Sequence, residues 1–559
     1  MSENLHGSST IAALESGVLN QQASREDDSM STSHRVSMIS SVSSGSVSTP
    51  SMISQPLSKL APSSGSLKRT VSSMSTGEST STQLEYSREF KHHKSDPDHR
   101  DRRLTRLDNA RILQKDGSLL RGSITVDPES GLIVEISLDA DEAGEEKHEE
   151  ALLQIFGSID CKGQIVSPGF IDIQLNGAYG VDFSNAQGLN IEDVLLVARR
   201  LLASGVTSFC PTMVSSSRET YRRVIPLIRK ARKHQSDRTR HNQENTSATI
   251  LGMHLEGPFF ALSKRGAHDS KHIVAPSKGM KSVREAYGFD ASSVDADDDE
   301  HHLREIDIIT MAPELDGASE AIRSLTNHQN SDDKPSIVIS CGHTEASYED
   351  GIKALSDGAT LLTHLFNAMN PFHHRQPGLV GLLSSELKLA RLGLNRPYYS
   401  MIVDGIHVHE SAVCMAYNSH PHGCVLVTDA MAAMGLGDGK HSLGDMSVFL
   451  QGDRATILGT DTLAGSVVSM DTCVRRFKQC TDCSIGEALL CATLHPAMVL
   501  KRHIAKRKDI LAVGDVDDAS IGVLEVGAAA DLVLLNDDLE VLGTWVRGKN
   551  AFEQLQKQN

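Results

Sequence analysis

Short apolar runs alternate along the middle of the chain with longer stretches whose apolar residues recur at helical spacing. This alternation predicts strands joined by helices, and therefore a parallel sheet. Eight runs have strand character and end in a polar or ionisable cluster, at residues 170–176, 207–212, 250–256, 306–314, 337–343, 360–364, 399–407 and 425–429. Helices are expected between them, for example over residues 191–204, 347–356 and 410–419. We predict an α/β fold with a (β/α)₈ TIM-type barrel, and an open doubly wound sheet is the alternative.

The two flanks of this region carry short β-type runs separated by turn residues. These runs lie at residues 122–126, 132–138 and 164–166 on one side, and at residues 531–535 and 541–546 on the other. Neither flank has enough strands to form a domain alone. We therefore expect one small β-sandwich domain built from residues 104–168 and 513–552, around a barrel domain at residues 169–512.

The first 100 residues contain 28 Ser, one Tyr, one Phe and no Trp, which is too little apolar surface for a core. Residues 1–100 are predicted to be a disordered Ser-rich tail. Two polar tracts, at residues 233–249 and 295–300, are predicted to be surface-loop insertions. The glycine-rich stretch at residues 435–440 is predicted to be a flexible loop that follows the last barrel strand.

Charge and cysteine content narrow the classes of function. The 55 Lys and Arg against 72 Asp and Glu give a formal charge of −17, which argues against binding to nucleic acid. No apolar run approaches the roughly 18–20 residues that cross a bilayer, so no membrane association is expected. Nine scattered cysteines do not form a disulfide framework, which favours a reducing, cytoplasmic location.

Three of the strand ends carry residues that bind metals: Glu256, His343 and His364. The carboxyl ends of barrel strands face the active site, so these side chains are expected to converge. Two imidazoles and one carboxylate suit a divalent ion such as Zn²⁺ and leave a position open for catalysis. Iron, cobalt and manganese are alternatives.

Asp429 ends the last predicted strand, where its carboxylate could take a proton from water and return it to a leaving group. Its alternative role is the N-cap of a following helix. His254 precedes Glu256 by two residues and shares its face of the strand, so it is expected behind the metal ligands.

These residues lie in motifs that resemble a known family. The segments GQIVSPGFID at 163–172 and GAAADLV at 527–533 are similar to the entry and exit segments of the amidohydrolase superfamily. More narrowly, the chain resembles the N-acetylglucosamine-6-phosphate deacetylase family in QLNG at 174–177, HLEGPF at 254–259, GHT at 342–344, THLFNAM at 363–369, VDGIH at 403–407, VTDA at 427–430 and LAGS at 463–466. Many amidohydrolases have His-x-His where this chain has Gln174 and Asn176, which implies one metal ion per chain.

The resemblance implies hydrolysis of the N-acetyl group of a phosphorylated amino sugar, N-acetylglucosamine 6-phosphate, in amino-sugar catabolism. It also implies a homodimer in which Arg375 reaches the phosphate in a neighbouring subunit's site, although an exposed basic loop is the alternative for Arg375. The other residues implied in substrate binding are Ala267, His268, Asn367, Ala368, Asp404, Gly405, Ile406, His407, Leu463, Ala464, Gly465 and Ser466.

Two other functions remain open from the sequence. One is an amidohydrolase for another substrate, such as a cyclic amide, against which Arg375 and the Asn367–Ala368 loop argue. The other is an inactive scaffold whose tail carries the function, against which the set of Glu256, His343, His364 and Asp429 argues.

Overall fold

The structure is a computed structural model that describes residues 103–139, 155–240, 246–289, 303–327, 337–504 and 519–551. The predicted tail at residues 1–100 and the acidic tract at residues 295–300 lie outside these ranges. In the ranges described, no helix combines the length and the apolar character that a membrane span requires.

Twenty-two strands lie within the described ranges. They are β1 (Leu104–Leu113), β2 (Leu119–Asp127), β3 (Leu132–Leu138), β4 (Ile155–Asp160), β5 (Ile165–Pro168), β6 (Phe170–Leu175), β7 (Gly177–Ala178), β8 (Val181–Asp182), β9 (Val206–Val214), β10 (Thr249–Ile250), β11 (Met253–Glu256), β12 (Ile306–Met311), β13 (Val338–Cys341), β14 (Leu361–Leu362), β15 (Tyr398–Ile402), β16 (Cys424–Val427), β17 (Gly439–Leu443), β18 (Met446–Gln451), β19 (Arg454–Ile457), β20 (Leu532–Leu535), β21 (Val541–Val546) and β22 (Lys549–Asn550).

Helices occupy most of the crossovers between barrel strands. The α-helices of the described residues are Ile191–Arg200, Arg218–Arg240, Met280–Tyr287, Ala318–Thr326, Tyr348–Asp357, Glu386–Arg391, Glu410–Ser419, Met470–Thr481, Ile485–Leu490 and Leu494–Val499. Short 3₁₀ segments include Leu201–Ser204 and Leu379–Ser384. The helix at Ile191–Arg200 begins with a capping box between Asn190 and Asp193 and turns Val194, Leu195 and Val197 towards the core.

The barrel strands follow one another in parallel in the order β6, β9, β11, β12, β13, β14, β15 and β16, with β10 extending the position of β11. Strands such as β9 and β12 are buried along their whole length, as expected for a sheet covered on both faces. The last strand returns to the first through a parallel bridge between Leu175 and Ala430. The predicted barrel is therefore confirmed, and the open sheet is wrong.

The two flanks form one eight-stranded sheet in the order β22, β21, β20, β5, β1, β2 and β3, with β4 also paired to β1. The strand β20 joins the two ends of the chain, since Leu535 pairs with Ile165. The sheet encloses a core of its own that includes Leu107, Ile124 and Trp545. We call this sheet and its core the small β domain; the bounds predicted for it, residues 104–168 and 513–552, remain a prediction.

The polar tract at residues 233–249 is only partly a loop. The helix Arg218–Arg240 continues through its first half, so the loop prediction was wrong there. Straight-chain polar residues favour helix, and Gln235 anchors this end by donating to the carbonyl of Ala248 at 2.8 Å and accepting from the amide of Ile250 at 3.0 Å.

The stretch after residue 438 forms a three-stranded meander of β17, β18 and β19. The loop predicted at residues 435–440 therefore ends two residues early, because Gly439 and Lys440 already belong to β17. Two-residue turns, Gly444-Asp445 and Gly452-Asp453, connect the strands, with Leu443 opposite Met446 and Gln451 opposite Arg454. Both glycines have positive φ, which a type II′ hairpin turn requires at its first position. The meander buries Val448 and Leu450 against Val214 and Met431 at the barrel mouth.

Candidate active site

Three buried side chains converge at the carboxyl ends of barrel strands. Glu256 ends β11, and His343 and His364 each follow their strands by two residues. The Nε2 atoms of His343 and His364 lie 3.0 Å apart, and they lie 3.3 and 3.1 Å from Oε1 of Glu256. Their ligand atoms therefore share one small space, which is the arrangement that a single cation needs.

The surroundings of His343 fix both its ring and its tautomer. Nδ1 lies 2.9 Å from the carbonyl oxygen of Lys264, so this nitrogen carries the proton and donates it. The ring of Phe260 stacks on the imidazole with 4.1 Å between centroids. Nε2 consequently faces Glu256 and His364. It can donate to the Glu256 carboxylate when the ring is protonated, and its lone pair is open to a divalent cation when the ring is neutral.

Opposing effects act on the ionisation of Glu256. Burial raises its pKa, but hydrogen bonds from His343 and His364 more than offset that effect and hold the pKa well below its ordinary value. Gln174 donates a further hydrogen bond from Nε2 to Oε1 at 2.8 Å. Glu256 is thus kept as a carboxylate, the form that binds a metal.

Asp429 follows β16 by two residues, close enough for its charge to act on Glu256 and His364. Its Oδ1 accepts a hydrogen bond from Nδ2 of Asn176 at 2.6 Å. Burial, with the nearby charge of Glu256 adding to it, raises the pKa of Asp429 to about 7. No helix begins directly after Asp429 in this described segment, so the alternative role as a helix cap is not supported.

The site residues share an uncommon backbone conformation. His343, His364 and Asp429 have φ angles of 51°, 30° and 47°, in the left-handed region that residues other than glycine rarely adopt. Neighbours hold each of them. The amide of Ala261 donates to the carbonyl of His343 at 2.9 Å, the amide of His364 donates to Oγ of Ser400 at 2.7 Å, and the amide of Ser466 donates to the carbonyl of Asp429 at 3.0 Å. Such strain concentrates at functional sites.

Two further imidazoles, those of His268 and His407, lie near the cluster. Nδ1 of His268 accepts from the amide of Ser215 at 3.1 Å, which turns its Nε2 towards Glu256, 3.9 Å away. Nδ1 of His407 lies 2.6 Å from Oδ2 of Asp404, whose Oδ1 also accepts the amides of Ile406 and His407. His407 is therefore held by a buried carboxylate.

Loops carry the remaining predicted substrate residues. Asn367 and Ala368 lie three and four residues after His364, and the carbonyl of Ala368 accepts from the amide of Thr344 at 3.0 Å. The segment of Leu463, Ala464, Gly465 and Ser466 runs beside Asp429, since Ser466 bridges to Ala430. Ala267 packs against the meander, and Gly405 is exposed with φ of 77°.

Arg375 stands apart from the other predicted site residues. It lies on an exposed loop, where its backbone amide donates to Nδ1 of His373 at 3.3 Å. The single chain does not bring Arg375 to the cluster of Glu256, His343 and His364. Its role in phosphate binding remains a prediction.

His254 is buried behind the ligands and uses both ring nitrogens, on the carbonyl of Ile173 at 3.0 Å and on Oγ1 of Thr310 at 2.8 Å. Neither nitrogen is left for a metal. A second group of possible ligands, Asp269, His272 and Asp445, already surrounds the ammonium of Lys271, which lies 2.9 Å from each carboxylate.

The sequence missed several supporting residues. Gln174 and Asn176 were interpreted only as missing imidazoles, although their spacing of two along the end of β6 turns both side chains to the same side, next to the two carboxylates. Nothing in the sequence indicated that Phe260 or the carbonyl of Lys264 would orient His343, because those contacts depend on the fold of a long loop.

Comparisons with known proteins agree with this geometry. A family model described as the amidohydrolase family matches residues 165–551. An N-acetylglucosamine-6-phosphate deacetylase from Homo sapiens is 40% identical over 461 residues, which cover 81% of this chain and 96% of that protein. The chain belongs to the N-acetylglucosamine-6-phosphate deacetylase family. The membership predicted from the motifs is confirmed.

Solved structures of this family have the same fold. The deacetylase of Mycobacterium smegmatis, in a structure described as a complex with N-acetyl-D-glucosamine-6-phosphate, is 28% identical with a TM-score of 0.61 and aligns over 81% of this chain and 99% of its own. The deacetylase of Pasteurella multocida is 26% identical with a TM-score of 0.61, over 80% of this chain and 99% of its own.

Proposed function

We propose that this deacetylase-family chain hydrolyses the N-acetyl group of N-acetyl-D-glucosamine 6-phosphate to D-glucosamine 6-phosphate and acetate in amino-sugar catabolism. The observation that carries the proposal is the convergence of Glu256, His343 and His364 beside the buried Asp429. Amide hydrolysis needs an activated water, a polarised carbonyl and an acid for the leaving amine. This group of residues can meet all three needs.

Glu256, His343 and His364 would hold one divalent ion, for which we propose zinc, with iron, cobalt and manganese as the alternatives. Two imidazoles and one carboxylate suit such an ion. When bound, it supplies Lewis-acid polarisation. Gln174 and Asn176 offer amides where a second ion would need imidazoles, which supports a single ion.

Asp429 is the proposed proton carrier. Its carboxylate takes a proton from the attacking water and then passes it to the amine nitrogen as the amide bond breaks. A buried carboxyl with a pKa near 7 suits both halves of this task. Asn176 orients the carboxyl through its Nδ2 and cannot take up the proton itself.

His407 and His268 are proposed to contact the sugar and the acetyl group. Asp404 accepts a hydrogen bond from Nδ1 of His407, which leaves Nε2 as the atom that meets the substrate. An imidazole whose Nε2 carries a proton can donate to the oxygen on which charge develops, and His268 fits this role because its Nδ1 accepts from the amide of Ser215. Ile406 and Gly405, together with the segment from Leu463 to Ser466, would form the wall around the sugar.

For the phosphate we propose Asn367, Ala368 and Arg375, with Arg375 supplied by a second copy of the chain in a homodimer. Its exposure supports this assignment, because the side chain can extend away from its own subunit. A planar guanidinium binds phosphate oxygens in pairs. We also propose a cytoplasmic location, which the nine free cysteines support.

The test combines metal analysis of the purified chain with acetate release from N-acetylglucosamine 6-phosphate. Unphosphorylated N-acetylglucosamine and a cyclic amide serve as comparison substrates. We expect one divalent ion per chain and a clear preference for the phosphorylated sugar. Loss of turnover on chelation and its return with Zn²⁺ would support the metal assignment. Equal turnover of the cyclic amide would contradict the proposed substrate.

A further inference from the structure

One junction of the barrel, between β6 and β16, is not closed by an ordinary ladder. At its lower end the amide of Ile171 donates to the carbonyl of Ala492 at 2.9 Å, and the amide of Leu426 donates to the carbonyl of Cys491 at 2.8 Å. The segment that carries these carbonyls therefore bonds to both strands. The first and last barrel strands are bonded through an inserted segment at this level, and not to each other.

Asp172 bridges the junction directly above this insertion. Its carboxylate is fully buried and accepts three hydrogen bonds. Oδ1 accepts the amides of Gln174 and Thr428 at 3.3 Å each, and Oδ2 accepts the hydroxyl of Thr428 at 2.5 Å. A side chain thus supplies the connection between strands that backbone groups supply elsewhere in the barrel.

Closer to the barrel mouth than Asp172, the backbone that follows β16 bonds directly to the backbone of β6. The amide of Asp429 donates to the carbonyl of Gln174 at 2.9 Å. The hydroxyl of Thr428 also accepts the amide of Ala430 at 3.3 Å, so Thr428 spans the residue on which catalysis is proposed to depend. Asp172 therefore bonds to one residue of this contact, Gln174 on β6, and to Thr428, the neighbour of the other residue, Asp429.

We propose that Asp172 is a positioning residue that sets the place of the Asp429 carboxyl through Thr428 and Gln174. This inference rests on the proposed function, since it assumes that Asp429 carries the proton. Asp429 has a left-handed backbone that needs outside support, and the Asp172–Thr428 bonds lie directly before it. Displacement of a reacting group by about 1 Å can cost about 10²-fold in rate.

The inference predicts a specific kinetic pattern. Asp172→Ala should lower kcat by about 10²-fold, because the backbone on both sides of the Asp429 contact loses its support and the proton carrier is displaced. KM should stay within about threefold and the metal content should stay unchanged, because Glu256, His343 and His364 lie on other strands. Asp172→Asn should be milder, since its amide oxygen still accepts the two backbone amides.

Asp531→Ala is the matched control. Asp531 is another buried carboxylate that accepts a backbone amide, that of Arg547 at 2.8 Å, but it lies in the small β domain. It should lower thermal stability while kcat stays within about twofold. If Asp172→Ala lowered kcat no more than Asp531→Ala, the positioning role would be refuted.

A second pair of variants covers the case in which Asp172→Ala does not fold. Thr428→Val removes the hydroxyl at nearly constant shape, and Thr428→Ser retains it. Thr428→Val should lower kcat by about tenfold, as the loss of one hydrogen bond allows, and Thr428→Ser should stay near the wild type. Equal kcat in the two variants would overturn the inference.

Hydrogen–deuterium exchange separates this inference from the proposed function. In Asp172→Ala the amides near Asp429 should exchange faster than in the wild type, while those of the small β domain should not change. If the wild-type chain released no acetate, the proposed function would fail, but the exchange result would still test the positioning. Unchanged exchange near Asp429 would overturn the inference.

Discussion

Glu256 and Asp429 are both buried carboxylates at the barrel mouth, yet their surroundings push their ionisation in opposite directions. Two imidazoles hydrogen-bond to Glu256 and hold its pKa well below the ordinary value. Asp429 has one amide partner, Asn176, and burial raises its pKa to about 7. Both carboxyl groups are buried, so the difference between their pKa values comes from the groups around them.

The difference shows how one site can hold a permanent anion beside a group that exchanges protons. Environments that separate the pKa values of neighbouring acids define which of them binds and which transfers protons. Gln174 on β6 and Asn176 directly after that strand contact one carboxylate each. One short segment of the chain therefore contacts both carboxylates, although their pKa values differ.

The largest effect is expected from removing the carboxylate of Glu256. Glu256→Gln should remove the metal and lower turnover by more than the about 10²–10⁴-fold that one acid–base group contributes. Metal analysis and an acetate assay measure the two losses. Glu314→Gln is a matched control, since Glu314 accepts the amide of Glu345 at 2.6 Å and should keep the metal. Stoichiometric metal in Glu256→Gln would show that the ligand assignment is wrong.

The second-largest effect is expected from substituting Asp429, which should affect proton transfer but not metal binding. Asp429→Asn should keep the metal and substrate affinity but lower kcat by about 10²–10⁴-fold, because an amide cannot carry the proton. Pre-steady-state substrate binding and kcat measure the two properties. A loss of less than about tenfold would exclude Asp429 as the proton carrier.

A smaller effect is expected from substituting Arg375, which leaves both Glu256 and Asp429 in place. Arg375→Ala should lower kcat/KM for the phosphorylated sugar by about tenfold to several hundredfold, since charged contacts contribute about 1.5–3 kcal/mol each. The unphosphorylated sugar should be almost unaffected. Arg391→Ala, another exposed arginine, should have no such selective effect.

Mixing subunits tests where Arg375 acts. Heterodimers of Arg375→Ala with Asp429→Asn contain one site with both wild-type residues only if those residues come from different chains. Activity should therefore return after subunit exchange. No return, with exchange confirmed by mass spectrometry, would place Arg375 in its own subunit's site or outside any site.

The smallest effect should come from deleting residues 1–100. The Ser-rich composition lacks the apolar residues from which a core could form, so kcat and thermal stability should stay within about twofold and a few degrees. Calorimetry and the acetate assay check both. A clear loss of stability would mean that the tail packs against the barrel.

The sequence predicted the site best where the functional residues lie at the ends of strands. His343 and His364 could be predicted together because each ends an apolar run, and parallel strands bring such ends to one face. The meander was missed although Gly444-Asp445 and Gly452-Asp453 are hairpin signals, because the glycine-rich stretch before them was interpreted alone.

Other parts of the site had no local signal. The stacking of Phe260 on His343 and the carbonyl of Lys264 depend on how a long loop folds over the barrel. Asp172 could be read as one more buried strand residue, since its partner Thr428 is distant in sequence. Contacts between remote segments follow from tertiary packing, which neither periodicity nor motif spacing encodes.

The pairing of β20 with β5 has a consequence for synthesis of the chain on the ribosome. Strand β5 emerges early, but the strand that covers its free edge is among the last to be made. During most of translation β5 keeps an open edge, which is a template for wrong pairing and a target for chaperones. A message truncated shortly before the codon for Leu532 would release a nearly full-length chain that still carries this open edge.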